Sequence, residues 1–299
     1  MSGLSLPACI STVDSGDLGP SGWDAAALDR RNEAFFHLGP LGGAASNHPD
    51  CFRVFNPRQV HSLCVLVLLS GKAPLRMCGH FDVAGLLKVQ AEPLHTGSLS
   101  IMDAAAISSG ELARLIGQQE ADGVVTDLSG VYAAVTCADC LGLLLTGELP
   151  VQGGGVRPVI GALHSGWGGT GILALALHAL AEAGAGKLRV LCGPCIAAQA
   201  YPVPRERAAL FAARFGEESV VECPDGQPGL DLVGANLAIL AGRAPCLGTG
   251  DAADGRPRIP AVETVLANRD TVSSPDLHSY RREGPQNYGR MLAMIGPVP

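Results

Sequence analysis

Aromatic residues are scarce in this chain: seven Phe, four Tyr and two Trp make up 4% of its 299 residues. The interior must therefore close by tight packing of Ala, Val, Leu and Gly rather than around large rings. Charge is scarce too, at 16% against 47% hydrophobic residues, which excludes a disordered chain. There is no basic run, and a formal net charge of −7 does not suit binding to nucleic-acid phosphates. No apolar run approaches the ~18 residues of a membrane span; the longest lies near Leu63–Leu69. The opening MSGLSLPACISTVDSGD has neither the basic segment nor the long apolar stretch of a secretory signal. A cytoplasmic protein without nucleic-acid or membrane partners is expected. In that compartment the ten cysteines (9, 51, 64, 78, 137, 140, 192, 195, 223 and 246) are expected to be reduced, and some can serve as ligands or nucleophiles.

Residues 1–25 are rich in Ser, Gly and Asp and are expected to form a loosely ordered N-terminal segment, with one domain over 26–299. The run Gln59–Ser70 reads as buried helix or buried strand, since its period does not decide. Ser108-Ser109-Gly110-Glu111 has the form of a helix entry. Strand-like segments follow: GVVTD, GVYAAVTC and CLGLLLTG, then Pro158 to His164 beyond a loop with three glycines at 153–155. Thr170 is expected to cap an apolar helix ending at Gly184 and Gly186. A strand over Lys187–Leu191 and helices over Pro204–Phe215 and Leu230–Ala241 complete the reading, and 243–260 is expected to be exposed. Strands and helices without regular alternation predict a single α+β domain, mixed sheets sandwiched by helices.

One stretch breaks the packing logic. Val135–Leu145, VTCADCLGLLL, sets Asp139 between Cys137 and Cys140 in an otherwise apolar run. A buried, unpaired carboxylate costs several kcal/mol, so packing alone does not account for it. Cys140 and His164 each stand where a strand meets a turn, and a thiolate with an imidazole suits zinc or copper. As ordinary core residues they would be equally at home in these strands. The turn Gly166, Trp167, Gly168, Gly169 leaves backbone N–H groups uncovered, as anion sites do. His278–Gly284 and Gly289-Arg290 concentrate guanidinium groups that can grip phosphate or carboxylate, or simply stay solvated. Cys192-Gly193-Pro194-Cys195 has the frame of a thioredoxin-like redox pair, although Leu191 stands in place of the usual Trp. Cys137, Cys140, Cys192 and Cys195 also have the spacing of a four-cysteine structural zinc site.

In order along the chain come Ala121-Asp122-Gly123 with Thr126, Ala138-Asp139-Cys140, His164-Ser165-Gly166-Trp167, Gly193-Pro194-Cys195-Ile196, Leu230-Asp231-Leu232, Ser279–Gly284 and Gly289-Arg290-Met291. In this series the chain resembles the laccase-domain family of YfiH-type proteins, called multicopper polyphenol oxidoreductases and, more recently, purine nucleoside phosphorylases. The resemblance implies the family's α+β fold and one metal held by His, Cys and His. Cys140 and His164 are the last two ligands. For the first, His95 lies 45 residues before Cys140 and is preferred over His61, which lies 79 residues before it in a literal Gln59-Val60-His61. The shared element at 193–196 is Gly-Pro-x-Ile, so the paired cysteines there are incidental to it.

The resemblance further implies a zinc enzyme that phosphorolyses adenosine, inosine and methylthioadenosine and deaminates adenosine, using inorganic phosphate as co-substrate. Asp139 and Cys140 are the expected catalytic residues, with Asp139 handling a proton at a polar cleft. Gly168, Gly169, Arg281 and Arg282 are expected to bind phosphate. A copper-dependent polyphenol oxidase with the same ligands is the alternative, and an editing protein for peptidoglycan precursors is a third reading. Homo-oligomerisation stays open. The chain departs from the family pattern at Gly168, where a basic residue is usual, at Pro202 in place of Glu, and at Asp270-Thr271 in place of Cys-Thr.

Overall fold

The apolar run whose period did not decide is a strand. In this computed structural model, which describes residues 8–10, 53–94, 115–248, 257–296 and 298, β3 (Cys64–Leu68) is buried along its whole length. Its alternate residues serve two cores. Val65 and Val67 join Leu141, Leu143 and Leu163 on one side, while Leu66 and Leu68 join Val124, Leu144 and Ile160 on the other. A strand covered on both faces shows no polar–apolar alternation, so the sequence pattern was silent about it. Each fully buried Val or Leu there contributes about 1.5–3 kcal/mol.

β3 sits within an eight-stranded mixed sheet. Its order is β13 (Val262–Leu266), β10 (Gly186–Cys192), β8 (Leu141–Pro150), β9 (Val156–Ser165), β6 (Gly123–Thr126), β3, β4 (Leu75–Phe81) and β5 (Leu87–Pro93). A second sheet orders β1 (Ala8–Ile10), β14 (Met291–Ile295), β7 (Val131–Cys137) and β2 (Arg53–Phe55), and β11 (Val220–Glu222) pairs with β12 (Pro228–Leu230). Helices α1 (Ile172–Glu182), α2 (Arg205–Phe215) and α3 (Leu232–Leu240) pack on one face of the large sheet. The four-stranded sheet packs on the other face through Val131, Ala133, Val135, Met291, Ala293 and Ile295. The class is α+β with mixed sheets, as expected, and among the described residues these three helices lie on one face only.

Three local expectations shift. Ala8–Ile10, inside the stretch read as loosely ordered, adds an edge strand to β14. Thr170 does not cap α1: Gly171, at φ +116°, takes that place, and the Thr170 hydroxyl instead donates back to the Gly166 carbonyl at 2.8 Å. Cys64 and Cys78 face each other across β3 and β4 and form a disulfide, so these two are not reduced. The helix entry at 108–111 and the tip of the 243–260 loop lie outside the described residues, although residues 115–118 are helical.

The order β8-β9-β6-β3 positions the site. Gly142 of β8 pairs with His164 of β9, and Gly123 of β6 pairs with Leu163 of β9 and with Val65 of β3. One edge of four neighbouring strands therefore carries Cys140 just before β8, His164 at the end of β9, Asp122 just before β6, and His61-Ser62 just before β3. Asp122 ties these ends through its backbone, donating to Cys64 O at 2.9 Å and accepting from His164 N at 2.7 Å.

Candidate metal centre

His61, Cys140 and His164 each present a ligand atom, all lying within 4.8 Å of one another. The two imidazoles meet edge to face, 4.8 Å apart at 89°. His61 is solvent-exposed, Cys140 half-buried and His164 buried, so the group opens outward on the His61 side.

Each side chain is delivered by a strained or crowded backbone. The chain crosses from β7 in the small sheet to β8 in the large one within Ala138–Cys140, and Asp139 makes that turn at φ +83°. His61 holds φ +58°. Left-handed backbone at a non-glycine residue costs of order 1–3 kcal/mol and clusters at functional sites. Gly166 leaves room for the thiol, because a Cβ there would stand 2.8 Å from Cys140 Sγ. At Gly169 a Cβ would sit 3.2 Å from His164 O and 3.3 Å from Ser62 O, so the turn and the His61 segment pack backbone to backbone.

Asp122 organises the two histidines. Its carboxylate is fully buried and accepts from the N–H groups of Val60 (3.3 Å), His61 (3.0 Å) and Ser62 (2.5 Å), from the Ser62 hydroxyl (2.8 Å), and meets His164 Nδ1 at 3.0 Å. Burial opposes its ionisation, but His164 and Ser62 outweigh that and hold the carboxyl below its ordinary range. With Nδ1 engaged, Nε2 of His164 is the nitrogen left for a metal, the carboxylate–histidine arrangement that fixes a ligand's tautomer. Gln59 secures the same segment by pairing its side-chain amide with Thr136 at 2.7–2.9 Å.

The charges fit a cation. Burial pushes the Cys140 thiol up, yet His164 and His61 bring it down to about 6. Burial pulls His164 down, yet the Cys140 thiolate and Asp122 raise it to about 10. Without metal the centre is a thiolate–imidazolium pair, and a divalent cation replaces that proton. A thiolate with two imidazoles is the borderline-soft donor set that zinc and copper take. The residues present fit the group.

Several sequence expectations change place. His95 lies outside the described residues, and the histidine beside Cys140 and His164 is His61, brought there because β3 neighbours β6 while sequence distance counts for nothing. Asp139 does not face an open cleft. It is 7% exposed, and its two oxygens accept from the Thr271 hydroxyl at 2.5 Å and from Arg281 N at 2.7 Å, while its carbonyl accepts from Ile196 N at 2.9 Å. Its carboxylate ties the C-terminal loop to the Cys140 turn. Arg282 has spent its guanidinium on that loop, donating to the carbonyls of Thr271 (2.6 Å), Val272 (3.2 Å), Ser274 (2.9 Å) and Leu277 and to Glu283 Oε1 (2.8 Å). Gly169 N–H is used inside its turn, donating to Gly166 O at 3.0 Å, and Gly168 stands beside His61 O. Cys140 and His164 lie together with His61, and the Arg281 backbone is bonded to Asp139 beside them.

Asp122 has no expected role beyond its place in Ala121-Asp122-Gly123. The signal was there: like Asp139, it is a carboxylate set directly against an apolar strand. A cavity of about 460 Å³, lined by Thr146, Glu148, Lys187 and Arg189 among others, lies farther along the sheet and includes no residue of this centre.

A profile of the family described as Multi-copper polyphenol oxidoreductase laccase matches residues 53–297. The chain is 37% identical over 184 residues to a purine nucleoside phosphorylase from Deinococcus radiodurans, covering 60% of this chain and 62% of that protein. It is 35% identical over 179 residues to the purine nucleoside phosphorylase ORF3 of Streptomyces griseus, covering 58% and 62%. With a purine nucleoside phosphorylase of Aquifex aeolicus the figures are 32% over 179 residues, 59% and 70%. The match thus spans about three fifths of the length of the first two relatives. In structure the chain is similar to YlmD from Geobacillus stearothermophilus, with a TM-score of 0.60 at 20% identity over 98% of this chain and 92% of that one. For a Neisseria meningitidis protein the values are 0.57 at 22% identity over 95% and 86%. These two likenesses concern the fold alone. A profile match that starts with β2 and ends just past β14 takes in every described strand but β1 and the whole candidate centre, and the chain belongs to the multi-copper polyphenol oxidoreductase laccase family.

Proposed function

We propose that this protein is a zinc-dependent purine nucleoside phosphorylase that also deaminates adenosine, with His61, Cys140 and His164 as the metal ligands. The observation that carries the metal is the convergence of those three donors within 4.8 Å, and the substrate class rests on the names of the relatives. Held by these residues, zinc would supply a Lewis-acid charge toward water or substrate.

The protein's own residues do the rest. Asp122 keeps His164 Nδ1 occupied and anchors the His61 backbone, so both imidazoles stay aimed at the thiolate side. Asp139 holds Arg281 against the Cys140 turn and acts as a positioning residue rather than a proton carrier. Arg281 offers its guanidinium to phosphate beside the centre. In phosphorolysis a phosphate oxygen bonds to ribose C1′ as the bond to purine N9 breaks, and the purine leaves with the proton the phosphate gives up. In deamination a water oxygen replaces the C6 amino group of adenosine, which departs as ammonia.

The test is metal analysis of the purified protein together with release of purine base from adenosine, inosine and methylthioadenosine, with and without phosphate. About one zinc per chain, base release only with phosphate, and ammonia from adenosine without it are the expected results. Phenol oxidation that copper supports and zinc does not, with no nucleoside turnover, overturns the proposal.

A further inference from the structure

The turn after His164 carries glycine at 168, and within Gly166–Gly169 there is no cation to meet a phosphate. The charge is supplied from elsewhere in the fold. Arg207, in the first turn of α2, lies over the Trp167 ring with its guanidinium carbon 4.5 Å from the centroid. Arg281 lies over the Tyr201 ring at 5.6 Å. Both stacked arginines flank Cys140 through its neighbours. Trp167 directly follows Gly166, whose Cα side faces Cys140 Sγ, and the Arg281 backbone is bonded to Asp139, the residue before Cys140.

Like Arg214, whose guanidinium carbon lies 4.0 Å over the Phe81 ring, they stack on a ring, while many other arginines are paired. Arg58, Arg76, Arg157, Arg189, Arg243 and Arg269 each meet a carboxylate. Arg282 is consumed by loop carbonyls and Glu283. Among the described residues the guanidiniums of Arg207 and Arg281 have no carboxylate or hydrogen-bond acceptor, only an aromatic face. In a chain with 28 acidic and 21 basic residues, two such cations on segments that adjoin the Cys140 turn suit an anion. Stacking on a ring fixes the plane of a guanidinium and leaves its N–H edge open, which suits two-point binding of phosphate oxygens. Tyr201 lies within electrostatic range of Cys140, Arg207 and Arg281. Burial and the Cys140 thiolate push its phenol up to about 12, while Arg207 and Arg281 both pull against them.

We propose that Arg207 and Arg281 form the inorganic-phosphate site of this centre, with Arg207 replacing from α2 the cation missing at position 168. Trp167 and Tyr201 are the platforms that aim the two guanidiniums. The inference rests on the phosphorolysis reading for its ligand, and it adds a residue that no motif in the sequence marked.

The experiment titrates inorganic phosphate calorimetrically into zinc-loaded wild type, Arg207→Gln, Arg207→Lys and Arg281→Gln, and in parallel measures the KM for phosphate in base release. Zinc content and thermal midpoint are recorded for each variant. Arg207→Gln is expected to weaken phosphate binding and raise that KM by about tenfold or more, with zinc content unchanged. Arg207→Lys keeps the charge without the fork and is expected to fall between it and wild type, which also covers the case in which Arg207→Gln does not fold. Phosphate affinity equal to wild type in both Arg207 variants, or no phosphate binding by wild type, overturns the inference. Phosphate bound through Arg207 without nucleoside turnover upholds this site and removes the phosphorylase reading. Phosphorolysis with an unchanged KM in Arg207→Gln does the reverse.

Discussion

Two segments of this chain share the spacing Cys-x-x-Cys and behave as chemical opposites. In Cys137–Cys140 the second thiol is pulled down to about 6 by two imidazoles, while Cys137, turned into the core between the sheets, is pushed far up by burial. In Cys192–Cys195 burial pushes both thiols up, Cys192 to about 12, and neither lies beside a cation that would offset it. Both of those cysteines line the helix-side core. All four sulfurs are free, so neither pair is a disulfide. Thiol reactivity here is set by neighbouring charge, and spacing in the chain says nothing of it. What Gly193–Ile196 contributes is backbone: Gly193 N donates to Gly142 O, Ile196 N to Asp139 O, and Cys195 O accepts from Thr271 N, bracing the turn that presents Cys140.

The sharpest contrast should come from removing ligands. Cys140→Ala and His61→Ala are expected to lose the metal and all turnover, while Cys195→Ala and His95→Ala retain both, as read by metal analysis of the purified variants. Retained metal in His61→Ala with loss in His95→Ala would return the third ligand to His95. Asp122→Asn is expected to weaken metal affinity about 10–100-fold in a zinc competition titration, because the amide no longer holds both histidine segments through charge. An affinity within twofold of wild type would reduce Asp122 to a packing role.

A smaller effect separates the thiols without mutation. In metal-stripped protein, alkylation of Cys140 should rise through pH 6 and level off above pH 7, because the thiolate is already the main form there. Cys137, Cys192 and Cys195 should stay unmodified up to pH 9 until the protein is unfolded, as mass spectrometry of the adducts would reveal. Equal labelling of Cys140 and Cys192 at pH 6.5 breaks the comparison. Cys192→Ala should cost only about 1 kcal/mol in denaturant unfolding and leave metal content intact.

The helices of the C-terminal half were legible because each carries a local signal, while β11 to β14 were not. α2 was read to within a residue, bounded by Pro204 and Gly216, and α3 begins at an Asp231 that caps it by accepting from Gly234 N at 2.8 Å. β7 and β9 were read as buried strands and are so. Where local signals were weak the reading slipped. Thr170 has the chemistry of a cap but is drawn back to Gly166, and Ala8–Ile10 pairs with β14, a partner 283 or more residues away that no local pattern could announce. Cys64 and Cys78 read as free thiols because their pairing depends on the register of β3 with β4.

At the site the split is the same. Residue types in the sequence were enough to determine that Cys140 and His164 stand at strand ends, that a carboxylate interrupts an apolar run at 139, and that glycine follows Trp167. Which histidine completes the group, which carboxylate orients it and which arginine stands over Trp167 were decided only by tertiary structure. Each of those contacts joins segments tens of residues apart: His61 and Asp122 meet because β3 lies beside β6, and Arg207 reaches Trp167 because α2 packs on the same sheet face as α1. Hydrogen bonds and charge pairs act over a few ångströms of space whatever the length of chain between them, so a one-dimensional pattern carries the chemistry of each partner and leaves the pairing to the fold.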